Sequence, residues 1–160
     1  VAGRRQRRGQ SATTPMLAGL AAIALAGVIV LPRTVAAPAA AGVGILPATP
    51  FSEAALAEAR AQGKPVFAWF TADWCLTCKV NEEVAIERPE VRDAFARAGV
   101  VVLRGDWTRR DPAITRYLTA QGAAGVPLYV WYPAGSGAPR QLPQVLTPDS
   151  LVALVAARTP

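Results

Sequence analysis

Histidine is absent from all 160 residues, and cysteine occurs only twice. The first absence excludes Ser-His-Asp and Cys-His catalysis and any His-bearing metal site within one chain. The second leaves an intramolecular zinc site two ligands short of the four it needs. Acidic residues are missing from residues 1–33. That stretch holds five of the 17 basic side chains (Arg4, Arg5, Arg7, Arg8 and Arg33), leaving 12 basic against 11 acidic in the rest. The net charge of +6 is therefore a local patch and not a phosphate-binding groove, so no nucleic-acid partner is expected. There is no internal repeat.

What is present divides the chain into four parts. Residues 1–15 form a basic segment, and residues 16–31 follow without a single charge, bracketed by Pro15 and Pro32. As a helix this run spans roughly 24 Å, slightly short of a ~30 Å hydrocarbon core, and Thr13 and Thr14 extend it. Residues 16–32 are accordingly expected to form a transmembrane helix. Four arginines precede it and one closely follows, which places the N-terminus in the cytoplasm and the rest of the chain outside it. A signal peptide is the alternative, with small residues at 36–41 as its cleavage region. Both readings export the C-terminal part. Residues 33–50, rich in alanine, glycine and proline, read as a linker.

Residues 51–160 read as one α/β domain. Ser52 caps a helix that ends near Gly63. The apolar run 65–71 is a buried strand, followed by a helix over 76–86. Pro89 opens another helix that Gly99 closes, and 100–103 form a second buried strand. Asp111-Pro112 starts a helix to about Gln121. Residues 128–132 form a third strand, 140–143 a weaker fourth, and 150–158 the last helix. This order indicates a mixed central sheet with helices on both faces.

The chemistry lies in Cys75-Leu76-Thr77-Cys78, where the first buried strand gives way to a helix. Unpaired N–H groups at a helix start favour negative charge, so a thiolate at Cys75 is stabilised. Cys78 follows almost one turn later, close enough to close a disulfide. Cys75 then attacks a partner disulfide and Cys78 resolves the mixed species. A purely structural disulfide is the competing reading, although a two-residue loop constrains the unfolded chain little.

Ala72-Asp73-Trp74-Cys75-Leu76-Thr77-Cys78-Lys79, Asp106-Trp107-Thr108 and Gly125-Val126-Pro127 together resemble the thioredoxin superfamily. More closely, they resemble the C-terminal periplasmic domain of the DsbD/ScsB thiol:disulfide interchange family. The resemblance covers residues 51–158 and implies a thioredoxin-like fold preceded by one transmembrane helix. It implies a membrane-tethered protein-disulfide reductase of the bacterial inner membrane, its domain in the periplasm. Its electrons would come from a membrane domain's cysteine pair and go to periplasmic thioredoxin-like partners, supporting disulfide isomerisation and cytochrome c maturation. No cofactor or metal is implied beyond the Cys75–Cys78 disulfide. A stand-alone anchored reductase for cytochrome c maturation, and a non-catalytic binding module with a structural disulfide, are the rival readings.

The resemblance also assigns residues. Val126-Pro127 matches a cis-proline loop that lies against the cysteines and pairs with an extended partner strand; an ordinary trans proline is the plain alternative. Trp74 is either a cover beside the nucleophile or core. The family's buried Asp, six residues before the first cysteine, is replaced by Trp69, which cannot ionise. Glu82, four residues after Cys78, matches a family glutamate and is left to handle the proton of Cys78, unless it is only a solvated carboxylate. Trp107, Tyr129 and Trp131 read as core or rim.

Overall fold

The computed structural model describes residues 44–156. The expected basic segment and membrane helix at 1–32 lie outside the described residues. Among the described residues no helix is long and apolar enough to cross a membrane.

Among the described residues, five strands and five α-helices follow one another as β1 (Thr49–Pro50), α1 (Glu53–Ala61), β2 (Val66–Thr71), α2 (Leu76–Asn81), α3 (Pro89–Arg97), β3 (Val101–Asp106), α4 (Pro112–Ala120), β4 (Leu128–Tyr132), β5 (Arg140–Gln141) and α5 (Pro148–Ala156). The strands form one sheet in the order β1-β3-β2-β4-β5. β1, β3 and β2 run parallel, while β4 and β5 are antiparallel to their neighbours. β2 is thus central and buried along its whole length, as its continuous apolar run requires.

Alternation along the strands supplies two cores. Phe67 and Trp69 of β2, with Tyr129 and Trp131 of β4, face Ile86, Phe95 of α3 and Leu151 of α5. Val66, Ala68 and Phe70, with Val130 and Tyr132, face α1 and α4, where Tyr117 and Leu118 pack. Helices therefore cover both faces of a mixed sheet, as expected.

The helix ends follow local chemistry. Ser52 Oγ accepts the Ala55 N–H at 3.0 Å, and Asp111 Oδ1 accepts those of Ala113 and Ile114. Pro112 opens α4 where no N–H is needed. Thr147 and Ser150 exchange backbone-to-hydroxyl bonds at the start of α5.

Two sequence expectations are corrected. The linker does not extend to residue 50. Thr49 and Pro50 pair with Leu103 and Arg104 as an edge strand, and Leu46 is buried in the core. An edge strand tolerates proline because one side of its backbone needs no partner, so the domain begins some five residues earlier. Nor is 76–86 a uniform α-helix: α2 ends at Asn81 and continues as a π-helical turn, Glu82–Ile86.

Candidate functional site

The site forms where β2 ends and α2 begins. Cys75 is the N-cap of α2, and its Sγ accepts the Cys78 N–H at 3.2 Å. The two cysteines are joined in a disulfide with an S–S distance of 2.01 Å and Cα atoms 5.2 Å apart. Cys75 is 7% exposed and Cys78 only 1%. Cys75 is thus the more accessible of the two sulfur-bearing residues.

Both cysteines pack with Ala72 and with Val126. The Val126–Pro127 peptide is cis. The loop that leads into β4 thus lies against the disulfide. Trp107 supports it from the far side, where a Cβ on Gly125 would stand 3.3 Å from the indole.

Trp74 stands on the rim, 54% exposed, beside the still more exposed Leu76 at 79%. Its indole is held: Nε1 donates to the Thr108 carbonyl at 3.2 Å, and the ring tilts against Trp107 at 5.9 Å. Thr108 Oγ1 also accepts the Asp73 N–H, while its own N–H donates to Asp106. The Asp-Trp-Thr segment is therefore a bracket for the two residues before Cys75. Burial works against the Asp106 carboxylate, but the Thr108 hydrogen bonds and the charges of Arg104 and Lys79 outweigh it. Together they hold the group below the ordinary Asp value.

Glu82 opens the π turn, its N–H donating to the Cys78 carbonyl, so it sits one turn along from Cys78. Oε2 meets Lys79 Nζ at 3.0 Å, and Lys79 also lies 3.6 Å from Asp73. Oε1 is buried with no hydrogen-bond partner. Trp69, where the family's Asp would stand, is buried beneath in the same core, its Nε1 also unpartnered.

Of two further residues around the site, Asn81 was not singled out from sequence and Tyr129 was read only as core or rim. Asn81, buried in α2, donates from Nδ2 to Tyr129 Oη at 2.9 Å and to the Gln144 carbonyl at 2.6 Å, and Oδ1 accepts the Leu146 N–H. Tyr129 Oη therefore lies under α2. Burial, with a smaller push from the Glu82 charge, drives its pKa up to about 12 against the Asn81 hydrogen bond. A polar residue three positions after Cys78 on an otherwise apolar helix face was the available signal for Asn81. Tyr129 is core, as its strand reading had it, and nothing local marked its hydroxyl as a partner of α2.

Comparison with known proteins agrees with this geometry. A thioredoxin-like family model matches residues 48–134. The thiol:disulfide interchange protein DsbD of Vibrio cholerae is 36% identical over 88 residues, 54% of this chain and 14% of that protein. DsbD 1 of Pseudomonas aeruginosa is 39% identical over 83 residues, 52% of this chain and 14% of that protein. The chain thus spans only 14% of the length of these relatives. Among solved structures, the oxidised C-terminal domain of Neisseria meningitidis DsbD superposes with a TM-score of 0.53 at 25% identity. That superposition covers 68% of this chain and 97% of that domain.

Proposed function

The chain belongs to the thioredoxin-like family, and on that premise we propose that it is a DsbD-type thiol:disulfide oxidoreductase that reduces protein disulfides through Cys75 and Cys78. The observation that carries this reading is the pairing of a reachable Cys75, its sulfur on a helix-start N–H, with a fully buried Cys78. A structural staple gains nothing from such asymmetry, and a two-residue loop is a poor staple in any case.

In the reduced state the Cys75 thiolate attacks one sulfur of a partner disulfide, forming a mixed disulfide and releasing one partner thiolate. Cys78 then gives its proton to Glu82, and its thiolate attacks Cys75 Sγ. The Cys75–Cys78 disulfide forms and the second partner thiolate leaves, taking up the proton. Two electrons have passed to the partner. A dithiol upstream returns the chain to its reduced state by the same exchange in reverse. The cis-proline loop offers backbone to an extended partner segment, and Trp74 with Leu76 offers apolar contact at the rim. The chemistry requires no cofactor other than the disulfide itself.

The wider setting belongs to the same proposal. Residues 16–32 tether the domain to the bacterial inner membrane with the redox site in the periplasm. The upstream dithiol belongs to a membrane electron-transfer domain, and the downstream partners are thioredoxin-like proteins serving disulfide isomerisation and cytochrome c maturation. Similarity to one part of DsbD supports this placing.

Trapping decides the assignment of roles. Cys78→Ser accumulates mixed disulfides with partner proteins, because Cys75 attacks and nothing resolves; Cys75→Ser accumulates few or none. Equal trapping by the two variants, or none by either, overturns it.

A further inference from the structure

Lys79 follows Cys78 directly and sits among carboxylates. Its Nζ lies 3.0 Å from Glu82 Oε2 and 3.6 Å from Asp73 Oδ1. Helix spacing explains the first contact, since residues three apart are neighbours on a helix surface. The second reaches back across the start of α2 to the residue two before Cys75. Burial works against the Asp106 carboxylate, and the charge of Lys79 is among the influences that outweigh it. One ammonium group therefore acts on three acids around the disulfide.

The two carboxylates bonded to it are unlike. Asp73 is 72% exposed, whereas the Glu82 side chain is 16% exposed and its Oε1 is buried without a partner. Among the described residues, Lys79 is the only hydrogen-bond or ion-pair partner of the Glu82 carboxylate. Burial disfavours charge on a carboxylate and an adjacent cation favours it. Asp73 has water to fall back on; Glu82 has little besides Lys79. Building on the exchange chemistry proposed above, we propose that Lys79 is a positioning residue that keeps Glu82 ionised for the Cys78 proton, with Asp73 competing for the same ammonium group. Glu82 takes up a proton only while it is ionised. Once protonated, it no longer holds Lys79 by charge, and Asp73 takes the larger share of the ammonium. When Glu82 passes the proton to the departing partner thiolate, its charge returns and Lys79 returns to it. An exposed side chain two residues before Cys75 thereby acts on the buried acid through one shared cation.

The other charged and titratable groups around Glu82 are few. Tyr129 on β4 feels the Glu82 charge. Arg104 from β3 and Glu87 from the end of the π turn line the same cavity as Glu82, and Glu87 is engaged by the Leu46 N–H at 2.8 Å. Glu83, next in the turn, is exposed. α5, packed on the π turn, carries only Asp149, exposed in its first turn. Residues 44–48 contribute no titratable side chain.

The test follows the Glu82 side-chain carboxyl ¹³C resonance across pH in the oxidised full chain, where neither cysteine titrates. Lys79→Met keeps the aliphatic stem and removes the charge. Its titration midpoint moves to higher pH than in the wild type, by about half a unit or more, and Lys79→Arg, which keeps the charge, brings it back. Asp73→Asn removes the competitor and moves the midpoint to lower pH, but in the Lys79→Met background the same replacement leaves it still. A midpoint unmoved in Lys79→Met, or not recovered in Lys79→Arg, overturns the proposal. So does an Asp73→Asn shift of equal size with and without Lys79. If Lys79→Met does not fold, Asp73→Asn decides by sign, a midpoint unmoved or raised counting against the proposal. In the reduced chain, the acid limb of the pH–rate profile for disulfide exchange moves in the same order. A limb that stays in place while the midpoints move overturns the proton role of Glu82 and this use of Lys79, whereas the midpoints report the shared cation by themselves.

Discussion

Replacing Asn81 by alanine tests how the redox helix is held to the domain. Asn81 is buried and makes three hydrogen bonds: to Tyr129 Oη at 2.9 Å, to the Gln144 carbonyl at 2.6 Å, and from the Leu146 N–H at 3.1 Å. Truncation leaves the buried Leu146 N–H unmet at a cost of about 1–3 kcal/mol, while the carbonyl of the exposed Gln144 adds less. Adding the small cavity, Asn81→Ala loses about 2–4 kcal/mol, a large share of the roughly 5–15 kcal/mol that stabilises a typical domain. Urea unfolding of the oxidised proteins measures it, as a lower midpoint at unchanged slope. Asn81→Asp separates the bonds. It keeps the acceptor for Leu146 but loses both donations and buries a carboxyl near Glu82. Burial and that neighbour raise the new carboxyl's folded pKa above its unfolded value near 3.9. Its variant is therefore least impaired at acid pH and loses stability as pH rises through the folded value. A loss below about 1 kcal/mol for Asn81→Ala would refute the reasoning, since it would mean that water serves Gln144 and Leu146 as well as Asn81 does.

Three further outcomes are expected. Glu82→Gln slows disulfide exchange about 10-fold or more near neutral pH and alters its pH dependence while the fold persists, as stopped-flow rates will check. Asp106 has its folded pKa depressed, so its contribution to stability is present above the ordinary Asp value. That contribution is lost as pH falls through the folded value; Asp106→Asn flattens the acid limb of a stability–pH curve. A membrane-impermeant thiol reagent applied outside the cytoplasmic membrane labels reduced Cys75, and labelling only after permeabilisation would remove the periplasmic placing.

Much of the fold was legible because its signals are local. The apolar runs of β2 and β4 are each too short for a helix and too apolar for a loop, and Ser52, Pro89, Pro112 and Gly63 punctuate the helices between them. β1 was not legible. Two residues, one of them proline, carry no strand signal of their own and become a strand only because β3 offers a free edge. The π turn was equally hidden, since 82–86 suits an α-helix by composition. The extra residue in that turn is set by packing: Ala85 and Ile86 are fully buried in the core beneath it.

The site divides along the same line. Cys75, Cys78 and their helix-start chemistry follow from spacing, whereas Tyr129 and Arg104 reach the site through register between strands far apart in sequence. The Asp-Trp-Thr segment lies between these cases. As a pattern it pointed to a family; as chemistry it had no meaning until the chain was folded. Once β3 runs parallel to β2, Thr108 comes level with the residues just beyond Thr71. One residue then supplies an acceptor to the Asp73 N–H, a carbonyl to the Trp74 indole and an N–H to Asp106. Trp107 meanwhile wedges between Trp74 and Gly125. The three residues thus touch both the segment just before Cys75 and the loop that carries the cis Val126–Pro127 peptide.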